Sequence, residues 1–160
     1  MSRLNVGQRL LPSMLDRLTD PDSGGTAAGQ GYSMQQVIEA VRRDLEELLN
    51  TRQTSVGIPT IYEEIHNSIV AYGLPDMTAI NAATPGERAN IGRTIEKIVA
   101  KYEPRLKDVR ANLVESAKRP DRLVRFEIHA RLDMDPSPEV GFQTVLELMT
   151  GQTSIKRADL

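Results

Sequence analysis

The chain has 160 residues, 39% hydrophobic and 26% charged, which suits one globular domain and falls short of two ordinary ones. It contains no cysteine, so disulfides and thiolate metal sites are excluded, and two distant histidines, His66 and His129, cannot make a His-rich metal cluster. The net charge of −2 is unevenly spread: residues 87–131 carry 12 basic and 7 acidic side chains, whereas both flanking stretches are acidic.

The run from Leu10 to Leu18 places apolar residues at 10, 11, 14, 15 and 18, one helical stripe with Pro12 in its first turn. The Gly-rich stretch from Pro21 to Gly31 has nothing to bury and reads as a linker. These divisions give an N-terminal amphipathic docking helix over 1–20, a flexible linker over 21–32 and a main domain over 33–160. No apolar run reaches signal-peptide or transmembrane length, so a cytoplasmic protein without membrane insertion is expected.

Ser33, with Gln36 three residues on, forms a capping box for a long helix. Met34, Val37, Ile38, Val41, Leu45, Leu48 and Leu49 make its buried face; Arg42, Arg43, Glu46 and Glu47 lie mostly elsewhere. The helix runs out near Arg52, whose charge suits the negative end of the dipole. Ile61, Ile65, Ile69 and Val70 then predict a second helix, stopped by Tyr72-Gly73-Leu74-Pro75. Thr84-Pro85-Gly86-Glu87 is the clearest helix start, and Ile91, Ile95, Ile98, Val99 and Tyr102 form the apolar face behind it. That helix should end at Glu103, because the residue before Pro104 is pushed out of the α region.

The period then changes from 3.6 to 2. Val124, Phe126, Ile128, Ala130 and Leu132 alternate with polar residues, as do Val140, Phe142, Thr144, Leu146 and Leu148 after a Pro-rich turn. Leu106–Val114 joins the same sheet with weaker alternation, and a last strand near Ser154–Arg157 offers an edge that could accept a partner strand. Helices first and a meander afterwards predict an α+β fold, with the helices packed on one face of a mainly antiparallel sheet.

Chemistry is scarce. There is no phosphate-binding loop, dinucleotide fingerprint, nucleophile elbow or metalloprotease motif. No cofactor or metal is expected, and His66 and His129 read as ordinary surface or sheet residues. The basic middle stretch could attract nucleic acid, but its charges are interleaved in sign and its only aromatics are Tyr102 and Phe126. A solvated mixed face or a protein contact explains it better. Glu103-Pro104-Arg105 stands where a helix hands over to the sheet, with proline fixing the backbone between a carboxylate and a guanidinium. On physics alone, a helix stop flanked by solvated charges accounts for it.

Taken in order, the run from Leu10 to Leu18, the helix end from Val41 to Arg52, Tyr72-Gly73-Leu74-Pro75-Asp76, and Tyr102-Glu103-Pro104-Arg105 resemble the TssE family. So do Phe126–Ala130 and the chain's close from Phe142-Gln143-Thr144 to Thr150-Gly151. That family is the small baseplate subunit of the bacterial type VI secretion system, akin to the phage baseplate wedge proteins once labelled tail lysozymes. The resemblance implies a structural, non-enzymatic role: joining the baseplate wedge and offering a platform for sheath polymerisation. It implies TssF, TssG, TssK and sheath subunits as partners, and a place at the baseplate near the inner membrane. It also marks Glu103, Pro104 and Arg105 as a sheath contact. Replacing Glu103 or Arg105 with Ala should then spare the fold and impair sheath initiation. The stripe of Leu10, Leu11, Met14, Leu15 and Leu18 on its loose tether reads by itself either as a peg that docks on a partner or as a helix folded back on its own domain. Two other readings stay open: a peptidoglycan-cleaving enzyme, as the old label suggests, and a wedge protein of a prophage tail.

Overall fold

The computed structural model describes residues 13–19, 32–53, 59, 61–76, 84–114, 123–147 and 149–158. Its elements run α1 (Met14–Thr19), α2 (Met34–Asn50), α3 (Glu63–His66), a 3-10 turn (Ile69–Ala71), α4 (Pro85–Tyr102), then strands β1 (Leu106–Val114), β2 (Leu123–Leu132), β3 (Glu139–Glu147) and β4 (Thr153–Arg157). The chain divides into two units, Met1–Val41 and Arg42–Leu160, with the boundary inside α2.

In the first unit, Ser13 starts α1: its hydroxyl accepts from the Asp16 amide at 3.1 Å and donates to the Asp16 carboxylate at 2.8 Å. α2 opens with the expected capping box. The Ser33 amide donates to Gln36 Oε1 at 2.8 Å, and the Gln36 amide donates to Ser33 Oγ at 3.3 Å. Residues 1–12 and 20–31, which hold Leu10, Leu11 and the Gly-rich stretch, lie outside the described residues.

In the second unit the four strands form one antiparallel sheet in the order β1-β2-β3-β4. Alternation decides its two faces. Val124, Phe126, Ile128, Ala130 and Leu132 are buried, and Arg125, Glu127 and His129 between them are only half so. Phe142, Thr144 and Leu146 of β3 and Ile155 of β4 extend the buried face, joined by Leu45, Leu48, Leu49, Ile91, Ile95 and Val99 from the helices. The fold is α+β, with helices against an antiparallel sheet from the C-terminal half, as the sequence predicts. α4 begins at its Thr84 cap, whose hydroxyl accepts from the Glu87 amide, and ends where the Glu103 amide donates to Val99 O at 2.8 Å.

The expected helix over Ile61–Val70 does not form. One four-residue turn, α3, is followed by the 3-10 turn, and Ile61, Ile65, Ile69 and Val70 are all exposed. Ser68 explains the break. Its hydroxyl donates to Ile65 O at 2.7 Å and accepts from the Val70 amide at 3.3 Å, drawing the backbone out of the helical pattern.

Each sheet edge is covered in part by a helix. At β1, the Ala111 amide donates to Glu96 Oε1 of α4 at 2.9 Å, and a side chain at Gly92 would come within 3.2 Å of Ala111 O. At β4, a stripe along α2 supplies the missing partners. Asn50 exchanges two hydrogen bonds with Thr153, donating from Nδ2 to its carbonyl at 2.8 Å and accepting its amide at 2.7 Å. Glu46 Oε1 accepts from the Ile155 amide at 3.2 Å, and Arg42 Nη1 donates to the Ile155 carbonyl at 3.1 Å. The β4 edge expected to await a partner strand is therefore occupied over Thr153–Ile155.

Arg52 does not cap the end of α2. It leaves the helix and forms a parallel bridge with Leu74. Its guanidinium fills the space over Gly151, where φ is +67° and a side chain would collide with it.

Candidate partner-binding site

Glu103, Pro104 and Arg105 lie at the handover from α4 to β1. Proline stops the helix, and the Leu106 amide closes the turn by donating to Glu103 O at 3.1 Å. The turn brings Arg105 back onto Glu103. The Arg105 amide and Nε donate to Glu103 Oε1 at 3.2 and 2.6 Å, and Nη2 donates to Oε2. The same Nη2 reaches α2 and donates to Asp44 Oδ2 at 2.6 Å, while Arg43 holds the other Asp44 oxygen at 3.0 Å. On the main chain, the Arg105 carbonyl accepts from the Asp133 amide at 2.8 Å. One arginine thus ties together α2, the end of α4 and the β2–β3 turn.

Burial differs along the motif. Glu103 is 4% exposed, Pro104 is exposed, and about a third of the Arg105 side chain is open, at 34%. The hydrogen bond to Glu103 drives the Arg105 pKa further above its ordinary value, overcoming the opposing effect of burial. Beside this cluster, Tyr72 packs edge-on to Tyr102 with ring centres 5.1 Å apart. Burial, and then the charges of Glu47, Asp44 and Glu103, raise the Tyr72 phenol above its usual range. Chemically the arrangement is a clip that presents Pro104 and one side of a guanidinium. Both Glu103 oxygens face Arg105, so Ala at 103 or 105 would remove bonds that hold the fold as well as any partner contact.

The second group of expected contact residues lies in the other unit. Leu15 and Leu18 of α1 are 52% and 80% exposed. Met14 lies on α1 without a described side chain, and Leu10 and Leu11 fall outside the described residues. Sequence reasoning missed Asp44, Tyr72 and the Arg42–Glu46–Asn50 stripe; only the four-residue spacing of the stripe left a mark. His66 Nε2 lies 3.3 Å from Pro59 O, and His129 lies 3.4 Å from Glu127, both outward. Among the described residues no group of acids and histidines could hold a metal ion, and no helix is long and apolar enough to cross a membrane.

A family model described as baseplate wedge protein gp25 matches residues 35–137, which span α2 through β2 and include the Glu103–Arg105 clip. The chain belongs to the gp25 baseplate wedge family. This wedge-family chain is also similar to a solved chain from "The baseplate complex from the type VI secretion system". The two share 25% identity with a TM-score of 0.50, over 71% of this chain and 96% of that one. No curated protein matches it.

Proposed function

We propose that this wedge-family chain is a structural subunit of a type VI secretion baseplate. It acts in the cytoplasm near the inner membrane, joins the wedge through TssF, TssG and TssK, and offers sheath subunits a surface on which to start polymerising. The observation that carries this reading is the likeness to a type VI baseplate chain, which takes in 96% of that chain. The site supports a role in binding. Glu103, a buried acid of the domain, has both oxygens engaged by Arg105, which leaves it no oxygen free to meet a sugar.

Co-expression with TssF, TssG and TssK should yield one assembly containing this chain. Cells lacking it should fail to extend a fluorescent sheath until the gene is restored. Normal sheaths in its absence would sink the proposal. Purified protein should leave peptidoglycan intact; hydrolysis abolished by a single Glu or Asp substitution would establish an enzyme instead.

A further inference from the structure

Between α2 and α4 the chain exposes an unusual amount of apolar surface. Ile61, Tyr62, Ile65, Ile69 and Val70 are all exposed, Ile69 at 87% and Ile61 at 77%, and α3 buries no residue. Scattered exposed apolar side chains are ordinary, but five within ten residues concentrate apolar surface in the way an interaction site requires.

The segment is nevertheless held. Lys101 Nζ donates to His66 O at 2.5 Å, and Gln53 Nε2 and Tyr102 Oη both donate to Ala71 O, at 2.6 and 2.8 Å. Ala71 and Leu74 anchor its end in the core. The domain therefore fixes the segment by its carbonyls and leaves its large side chains free. A surface fixed in this way loses little freedom on binding.

Charge narrows the choice of occupant. Glu63 and Glu64 are exposed between Tyr62 and Ile65, two acids against one cation, Lys101, whose Nζ is bonded to the His66 carbonyl, so the segment's balance is acidic. A second copy docking through a twofold axis would bring these carboxylates against their own equivalents. A partner whose apolar face is bordered by Lys or Arg meets opposite charge instead. The patch offers side chains on a helical turn rather than an open strand edge, so it suits a helix better than an added strand. We propose that the Ile61–Val70 face docks an apolar, basic-rimmed helix of another wedge subunit, an inference that rests on the baseplate reading above.

The test uses the full chain and a purified TssF–TssG pair as the probe. Ile61→Glu with Ile69→Glu changes two exposed side chains, so the melting midpoint should hold while binding weakens by at least about tenfold. Glu63→Lys with Glu64→Lys should weaken binding several-fold and remove the loss of affinity that added salt causes in the wild type. Undiminished binding by the Ile double variant overturns the proposal. So does a wild-type dimer that dissociates in that variant, which would give the patch to a second copy. Radical footprinting that finds the patch protected in the isolated chain, and open after removal of residues 1–20, would assign it to the chain's own helix and overturn the proposal too. If the wild type binds no wedge protein, the baseplate reading falls first, and the docking proposal with it.

Discussion

Arg105 holds two carboxylates at once, so its loss leaves Glu103 charged behind a side chain only 5% exposed. Breaking a buried pair from one side costs about 3–5 kcal/mol; with the guanidinium a third open and partly screened, about 2–3 kcal/mol is expected for Arg105→Ala. Arg105→Lys keeps the charge but loses the fork that spans Glu103 and Asp44, and should fall between wild type and Ala in urea denaturation. Sheath assays on the Ala variant would therefore confuse a weakened fold with a lost contact. Pro104→Ala is the better probe, since it alters the exposed part of the motif and leaves the Arg105 bonds in place. Tyr72 supplies a test in alkali. Its phenol is raised above 10.0 in the folded chain, so the unfolded form ionises first. Stability from this group is complete below that pH and is lost as pH climbs through the folded value. Tyr72→Phe should accordingly lose less of its urea midpoint than wild type as pH climbs past the ordinary phenol value of 10.0. A parallel decline in both proteins would show that the phenol contributes nothing.

The polar stripe of α2 closes the β4 edge, and closure has a measurable consequence. Asn50→Ala leaves the amide and carbonyl of Thr153 without their partners, at a cost of about 1–3 kcal/mol. It also uncovers a strand edge, so light scattering on standing should rise with protein concentration. Gln35→Ala, at an exposed position of the same helix, should stay within about 0.5 kcal/mol of wild type and not scatter. Equal behaviour of the two variants would mean that the edge needs no cover. Hydropathy could not reveal this role. Arg42, Glu46 and Asn50 look like a solvated face because polar side chains bonding to a strand leave the same pattern as those bonding to water. Local chemistry was legible: Thr84-Pro85 and Ser33 with Gln36 set helix starts through bonds spanning three residues, and strict alternation located β2 and β3. The helix expected over Ile61–Val70 failed for the opposite reason. Spacing reports which residues share a face, not whether anything covers it, and Ser68 broke the turn. Asp44 was beyond reach because its partner Arg105 lies 61 positions along the chain.

At the scale of the whole molecule, the N-terminal segment carries the remaining question of assembly. The unit Arg42–Leu160 contains the entire sheet, α4 and the clip, whereas α1 belongs to Met1–Val41. Leu15 and Leu18 are exposed on α1, and burying such a side chain on a partner is worth roughly 1.5–3 kcal/mol. A six-residue helix is too short to persist by its own hydrogen bonds, so a partner would stabilise its shape as well as cover its stripe. Removal of residues 1–20 should then leave a cooperative melting transition with a midpoint close to wild type, and a protein that no longer enters the wedge. Leu15→Asp with Leu18→Asp is the finer probe, because it keeps the chain length and changes only exposed positions. Its stability should shift by no more than about 0.5 kcal/mol per site, with wedge entry sharply reduced. If the truncated chain instead unfolds, the stripe serves the protein's own core. In that case the Asp variants should melt early, and any loss of wedge entry would follow from the damaged fold rather than from a missing contact.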